Sequence, residues 1–537
     1  MTPHPQFDSS PSPLAPIDSF FYRQSILIVL VVAFLSVGAL TVATGTALGL
    51  MSFRDAGYPD SATLLRVSQV VHDHHIYYPG DRPPYFISIY GPLTYVYFAA
   101  PYKLALSLGA SPQTFLRLSV LLAVFICIAC LYLIGKKLYG SRGVALLCAL
   151  FAVSSYPMAS WTVQFRPDFL ALACSLAAML WFLQSREKRV PILSAIVAGL
   201  ALLFKQTFIA APLAIVGWLL YRRRYRDAIL WTAIAGLTAI AGNAIAYLHE
   251  PYMAQTIADL RHPVLEYRGA LSIIWLAVRQ PVVPFMVIGA LFARHQRERA
   301  PERLLLLFYT VSAWAVAVLT IPQAGGNINY FFEPLMVSGA LAGLGLIELQ
   351  RHSTRRPLFA CIAVCILLWP GLVPAFKAIR YDYDEAKRIP ARKAQWQAFV
   401  AAASGRLLLS THPDVTILGR HPEIPDGFLN DVLEKSGRWR PGDVLSEMNA
   451  GMYDMIVITK GQADNPEQVK HRNLHQWDAD MWAALKQHYT KNCTFDVFEV
   501  WSPKATARNT PRVDYASFGC APVASAMPAA PPALVRQ

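Results

Sequence analysis

The feature that most limits what this chain can become is a succession of apolar blocks of roughly twenty residues. A helix rising about 1.5 Å per residue needs that length to span about 30 Å of hydrocarbon. The blocks fall at about 25–51, 86–106, 113–135, 144–159, 166–184, 191–221, 228–247, 271–294, 304–321, 333–350 and 358–378. With 55% hydrophobic residues, 15% charged residues and a mean hydropathy of +0.35, the 537-residue chain is too apolar for a soluble enzyme. A bilayer is its expected solvent.

Charge sets the orientation. The formal charge of +14 does not point to nucleic acid, because Lys and Arg lie in short clusters between the blocks. These are Lys136/Lys137/Arg142, Arg186/Lys188/Arg189, Arg222/Arg223/Arg224/Arg226, Arg294/Arg297/Arg299/Arg303 and Arg351/Arg355/Arg356. Placed in the cytoplasm, they act as topology signals. The 86–106 block, interrupted by Pro92 and Pro101, then lies along the outer leaflet as an interfacial or re-entrant helix. The 191–221 block begins and ends beside basic clusters, so it must go out and return as two short helices with Lys205 and Gln206 at the outer tip. The expected fold is an α-helical polytopic membrane protein of the cytoplasmic membrane, with about 11 transmembrane helices plus interfacial helices and the C-terminal segment outside.

Four regions follow. Residues 1–24 form a disordered cytoplasmic N-terminus without the basic start of a secretory signal. Residues 25–378 form the membrane domain. Over 379–502 the apolar stretches shorten to strand length, as in 407–409, 415–418 and 455–458, which predicts a small extracytoplasmic α/β domain. Residues 503–537 form an Ala/Pro-rich tail. Six of the eight cysteines fall in apolar blocks, where a thiol is a small core group, whereas Cys493 and Cys520 can pair if their segment is outside.

The first outer loop carries the strongest chemical candidate. Asp55 stands a few residues past the first apolar block, where a carboxylate can act on a lipid-linked substrate whose phosphate lies among the headgroups. Asp60 is second, since its Pro-Asp-Ser run also reads as a helix start. Arg166 and Lys205 fall at outer helix ends and can hold a phosphate, snorkelling being the competing explanation. Asp168, inside its helix and a candidate cavity residue, can orient Arg166 or bind a cation, with structural pairing the preferred reading. His72, His74 and His75 read as a solvated loop rather than a metal site, because adjacent residues point to different faces. Tyr77, Tyr78 and Tyr90 can stack on sugar or belong to an interfacial aromatic belt. Asn327, Asn329 and Glu333 close an outer loop beside Gly325-Gly326, where donor or acceptor contact competes with turn formation and capping.

These segments resemble the GT-C superfamily of membrane glycosyltransferases, which includes protein O-mannosyltransferases, lipid A aminoarabinose transferases and bacterial enzymes that decorate envelope glycans. The resemblance covers about residues 20–380. Asp55 carries it, with Tyr90-Gly91-Pro92-Leu93-Thr94-Tyr95 leading into Arg117-Leu118, and Arg166-Pro167-Asp168. Phe204-Lys205-Gln206-Thr207 and Asn329-Tyr330-Phe331-Phe332-Glu333 complete it. It implies an inverting transfer from a polyprenyl-phosphate sugar to an envelope glycan or lipid, with Asp55 as base and Gln206 and Tyr330 among the cavity residues. The first outer loop lacks the adjacent Asp-Glu pair of the protein mannosyltransferases, which argues against a protein acceptor. That chemistry requires no cofactor, and a divalent cation finds no dedicated cage.

The alternative is a transporter or flippase of lipid-linked saccharides. That would call for ionisable groups along a pathway through the bilayer, often with repeated halves. The blocks hold few central charges and show no such repeat.

Overall fold

A computed structural model describes residues 26–52, 58–79, 87–159, 161–185, 190–259, 265, 267–295, 301–323, 325–353, 357–412, 415, 418–419, 442–465, 477–504 and 513–522. The helices are α1 Ile26–Met51, α2 Tyr58–His72, α3 Pro92–Ser107, α4 Pro112–Tyr139, α5 Arg142–Val153, α6 Asp168–Gln184, α7 Ile192–Phe204, α8 Ala210–Tyr221 and α9 Tyr225–His249. They continue with α10 Met253–Asp259, α11 Tyr267–Val278, α12 Val282–His295, α13 Pro301–Thr320, α14 Phe332–Ser353 and α15 Pro357–Ala403.

Among the described residues, 6 helices can cross a membrane by length and composition, or up to 7 if the bent pair α11 and α12 is one span. The apolar helices α5, α6, α7 and α8 have only 10–17 residues each. The chain is a multi-pass membrane protein. The expected single span at 271–294 is instead two helices at 69° to each other. Its break contains Pro281, which has no N–H to continue a helix. The 191–221 block does divide, with α7 ending at Phe204 and α8 starting at Ala210.

The inner face of the bundle is built for close approach. A Cβ on Gly289 would lie 1.9 Å from the Leu341 carbonyl oxygen, and one on Gly345 would lie 2.1 Å from that of Phe285. Helices α12 and α14 therefore cross backbone against backbone, the packing that small residues allow where lipid removes the hydrophobic drive between helices. By contrast, α9 keeps Ile229, Leu237, Ile240, Ile245 and Leu248 exposed, as a lipid-facing helix does.

Helix α15 runs on without interruption across the expected boundary at 378/379. Hydropathy falls there, but helix-forming Ala, Lys, Glu, Arg and Gln continue, so the apolar signal ends before the helix does. Beyond α15 the strands are β1 Leu408–Ser410, β2 Met455–Thr459, β3 Tyr489–Phe495, β4 Phe498–Pro503 and β5 Ala521–Pro522. Two helices, α16 Gly442–Asn449 and α17 Ala479–His488, lie between them in sequence. The sheet order is β1-β2-β4-β3-β5, with only β1 and β2 parallel.

Two expectations need correction. Val415 lies in a helical turn rather than a strand, while residues 416–417 fall outside the described residues. The predicted tail begins too early, because residues 515–518 form a 3₁₀ turn and β5 joins the sheet. Cys493 and Cys520 form a disulfide, and Phe518 packs beside Phe399 of α15 and Phe495 of β3. Pro- and Ala-rich composition concealed this short return to the sheet. Closing a loop of this size contributes about 2–4 kcal/mol. Cys520→Ser is therefore expected to lower the thermal midpoint of the sheet region and to speed its limited proteolysis, while the bundle stays folded. Unchanged midpoint and cleavage would contradict that role.

Candidate functional site

The ends of several elements converge at one end of the bundle. Arg117, near the start of α4, is buried and donates from Nη1 to the Ser52 carbonyl at 2.5 Å, just past the end of α1. Thr46 of α1 meets Thr162 at 2.5 Å between their hydroxyls, which brings the segment leading into Arg166 beside the same helix end. Phe204 closes α7 because Lys205 is extended (φ −152°), and the buried Phe204 carbonyl accepts from Gly91 N at 3.2 Å and Thr94 Oγ1 at 2.9 Å. Helix α3 thus satisfies a terminal carbonyl of α7. Gly91 is required there, since a Cβ would lie 2.0 Å from the Leu203 carbonyl oxygen.

At the opposite end lies Arg303, whose guanidinium is 5.4 Å from the Tyr139 ring at the end of α4. From Arg303 to Thr320, α13 rises about 26 Å at about 1.5 Å per residue. The basic residues Lys136, Lys137 and Arg303 therefore stand a membrane thickness away from Lys205 and Thr320.

The centre of the site is a buried ion pair. Lys205 Nζ lies 2.7 Å from Asp168 Oδ1, with the two residues 6% and 2% exposed. Asp168 opens α6, where the helix dipole favours its charge. The same oxygen accepts from Asn329 Nδ2 at 2.8 Å, a contact that fixes the amide with its NH₂ toward the carboxylate. Asn329 itself sits in a 3₁₀ turn, preceded by Asn327, whose side chain caps Ile328 N at 2.7 Å. The Lys205 ammonium also lies 4.5 Å from the Tyr330 ring centroid. Burial alone would lower the lysine pKa, but Asp168, aided by Tyr330 and Tyr90, holds it above the ordinary value. With the folded pKa raised, the pair's contribution is complete below the ordinary lysine range and is lost only as pH climbs through the folded pKa.

Three groups remain open around this pair. Asp168 Oδ2, Asn329 Oδ1 and Arg166 Nε are buried and have no hydrogen-bond partner among the described residues. Arg166 stacks with its guanidinium 4.3 Å from the Trp161 ring and pairs with no carboxylate among the described residues. Burial pushes the Tyr90 hydroxyl up to about 12; Arg166 opposes the shift, Asp168 adds to it, and Lys205 opposes it. Tyr90 therefore remains a neutral donor.

Beside the pair lies a small cavity of about 10 Å³, lined by Lys205, Thr207, Phe208, Ala313, Val316, Ala317, Thr320, Asn329, Tyr330 and Glu333. Glu333, 5% exposed, accepts from the Tyr309 hydroxyl at 2.8 Å.

The residues expected from sequence separate into groups. Lys205, Asp168, Asn329, Tyr330 and Glu333 come together; Arg166 and Tyr90 adjoin them. Lys205, the candidate phosphate anchor, is buried and paired with Asp168. Gln206 is exposed and does not line the pocket. Tyr77 is buried and serves the loop, its hydroxyl donating to the Tyr90 carbonyl at 3.4 Å. Tyr78 donates to Asp73 at 3.0 Å and lies under the Arg66 guanidinium at 5.0 Å. Asp60 is buried in the first turn of α2. Asp55 lies outside the described residues. Among the described residues, no three His, Cys, Asp or Glu are grouped as metal ligands.

The sequence gives no sign of Phe208, Tyr309 and the α13 wall, whose residues look like ordinary span positions. It also gave no role to Glu250. That carboxylate accepts from Ile76 N at 3.0 Å and Tyr77 N at 3.2 Å, with His75 Nδ1 3.7 Å away, and so ties the segment after α2 to the end of α9. Ile87, from the same loop and 1% exposed, enters the core formed by Leu409, Ile456, Met481 and Tyr489 of the C-terminal sheet region.

The comparisons with known proteins agree with this architecture. Residues 92–246 match the family of dolichyl-phosphate-mannose-protein mannosyltransferases. The fold is similar to that of ArnT from Cupriavidus metallidurans in the apo state (TM-score 0.56, 13% identity, covering 88% of this chain and 97% of that one). ArnT from the same organism bound to undecaprenyl phosphate is matched with a TM-score of 0.55 at 14% identity, over 90% of this chain and 99% of that one. The archaeal oligosaccharyltransferase AglB from Archaeoglobus fulgidus, in complex with an inhibitory peptide and a dolichol-phosphate, gives a TM-score of 0.50 at 10% identity, over 88% and 74% of the two chains. No curated protein matches the sequence.

Removing one member of the buried pair leaves an uncompensated charge, at a cost of about 3–5 kcal/mol. Lys205→Met is expected to lower the thermal midpoint of detergent-purified protein sharply, and Lys205→Met combined with Asp168→Leu to recover part of that loss. A double variant no more stable than the single one would show that the two charges are not coupled.

Proposed function

We propose that this chain, a membrane glycosyltransferase of the GT-C superfamily, is an inverting enzyme. It moves a sugar from a polyprenyl-phosphate donor to an envelope glycan or lipid at the outer face of the cytoplasmic membrane. The observation that carries the reading is the set of open polar groups around the Asp168–Lys205 pair, at the end of the bundle away from Arg303. The undecaprenyl phosphate and dolichol-phosphate held by the ArnT and AglB structures support a donor of that class.

In this proposal the bundle makes eleven crossings: six long helices, the bent pair α11 and α12, and four shorter helices that thin the membrane domain around the site. The sheet region is a small α/β domain outside the membrane, where its disulfide is stable.

Asp55 is the base. Its loop starts at Ser52, which Arg117 holds at the site end of the bundle. The carboxylate takes the proton of the acceptor hydroxyl, and the freed oxygen attacks the anomeric carbon from the face opposite the phosphate. The bond between the anomeric carbon and the phosphate oxygen breaks, and its electron pair leaves with the carrier. Arg166 and the N–H groups of Lys205 not spent on Asp168 take up the charge that develops on the phosphate. The reaction balances without a cofactor. Tyr90, a neutral donor beside both cations, orients the leaving group.

Two variants test the assignment on purified protein in lipid nanodiscs, with mass spectrometry of the product. Asp55→Asn is expected to reduce turnover about 10²- to 10⁴-fold while undecaprenyl phosphate binding stays intact. Arg166→Ala is expected to weaken that binding. Transfer by Asp55→Asn at the wild-type rate would reject the base, and a product with the donor's anomeric configuration would reject inversion.

A further inference from the structure

The cation that the proposed reaction sets against the carrier phosphate is held in an uncommon way. Arg166 is half-buried, its Nε is without a hydrogen-bond partner, and it pairs with no carboxylate among the described residues. A charged side chain in a membrane protein is ordinarily supported by an opposite charge or by backbone carbonyls. Here the support is aromatic, since the guanidinium carbon lies over the Trp161 ring at 4.3 Å from its centre.

The choice of support matters for what the arginine can still do. A carboxylate would occupy the N–H edge of the guanidinium and offset its charge, as Asp168 does for Lys205. The indole attracts the charge through its ring quadrupole and presents no acceptor oxygen. An arginine held in this way keeps its in-plane donors, the groups that match phosphate oxygens in pairs.

Trp161 is itself fixed from two sides. It is buried and meets Phe332 edge to face at 5.4 Å and 84°, while Phe332 is stacked on Phe169 at 5.3 Å and 18°. Phe332 opens α14, three residues after Asn329, and Phe169 follows Asp168 in α6. The elements that carry the Asp168–Lys205–Asn329 cluster therefore also carry the rings behind Arg166. On the other side the hydroxyl contact of Thr162 with Thr46 ties the neighbouring residue to α1. The ring is thus set between the helix that leads toward Asp55 and the helices of the ion pair.

We propose that Trp161 is the positioning residue for Arg166, its ring face holding the guanidinium charged and with its N–H edge free for the carrier phosphate. The inference rests on the reading of Arg166 as a phosphate-binding group and adds the device that keeps it one.

The test measures binding of undecaprenyl phosphate to the full chain in lipid nanodiscs. Trp161→Leu is expected to weaken binding about 5- to 30-fold, the upper part of the range for a cation–π contact. Trp161→Met, a second replacement without a ring, should do the same and serves if the leucine variant fails to fold. Trp161→Phe, which restores an aromatic face, should stay within about twofold of the wild type. In an Arg166→Ala background, loss of the Trp161 ring should change binding by no more than about twofold. Equal weakening in both backgrounds would show that Trp161 acts on the fold rather than through Arg166, and unchanged binding by the ringless variants would show that Arg166 does not need it; either result overturns the proposal alone. A wild type that does not bind undecaprenyl phosphate, or an Arg166→Ala variant that binds it as the wild type does, overturns the phosphate role of Arg166 and this proposal with it.

Discussion

An ion pair inside a membrane protein is tolerated only where the surroundings repay its desolvation, and the Asp168–Lys205 contact at 2.7 Å is the point around which this end of the bundle is organised. Each partner belongs to a helix end, Asp168 to the start of α6 and Lys205 to the end of α7. Because both are charged and nearly without water, the two ends are locked in register. Asn329 adds a third element by donating to the same carboxylate oxygen, which fixes the turn before α14. The Phe204 carbonyl, one residue before Lys205, is in turn satisfied by Gly91 and Thr94 of the α3 start. Four elements are therefore positioned by two carbonyl and carboxylate acceptors, and the pocket between α13 and α14 inherits its shape from them.

The same economy extends outward through the loop that precedes α3. Glu250 holds the backbone of Ile76 and Tyr77, Ser88 Oγ donates to the Ile76 carbonyl at 2.6 Å, and Tyr77 reaches the Tyr90 carbonyl. Between these contacts Ile87 is inserted into the core of the C-terminal sheet region. A displacement of that region would pull on a loop whose next fixed points are Tyr90 and Gly91, directly beside the ion pair. The sheet region is thus mechanically joined to the site through one buried side chain, although it contributes no residue to the pocket lining.

Sequence reasoning captured what hydropathy and helix-end position can encode. The division of the 191–221 block at Lys205 followed from basic clusters at both ends of one apolar block, and the helix pair α7 and α8 shows it. The motif residues Arg166, Asp168, Asn329, Tyr330 and Glu333 meet because each starts or ends a helix at the same level. What was hidden is pairwise. Nothing in the sequence tells that Lys205 neutralises Asp168 rather than facing solvent, because the residues are separated by two helices. Thr320, Ala317 and Tyr309 occur at positions indistinguishable from membrane-span residues, and only the packing of α13 on α8 and α14 turns them toward a cavity. The bend at Pro281 and the run of α15 through residue 403 show the two opposite errors of reading hydropathy as helix length. One block held two helices, and one helix outlasted its block.

The arrangement also bears on how a buried lysine can still meet a ligand. An ammonium has three N–H groups, and one engaged by Asp168 leaves two directions for ligand contact. With Asp168 bound, the Lys205 charge is offset, and the cation beside the pair is Arg166, which pairs with no carboxylate among the described residues. In the proposed reaction this directs the carrier phosphate toward Arg166. The buried pair therefore contributes through its neutrality: it holds the helices together while leaving Arg166 to meet the phosphate.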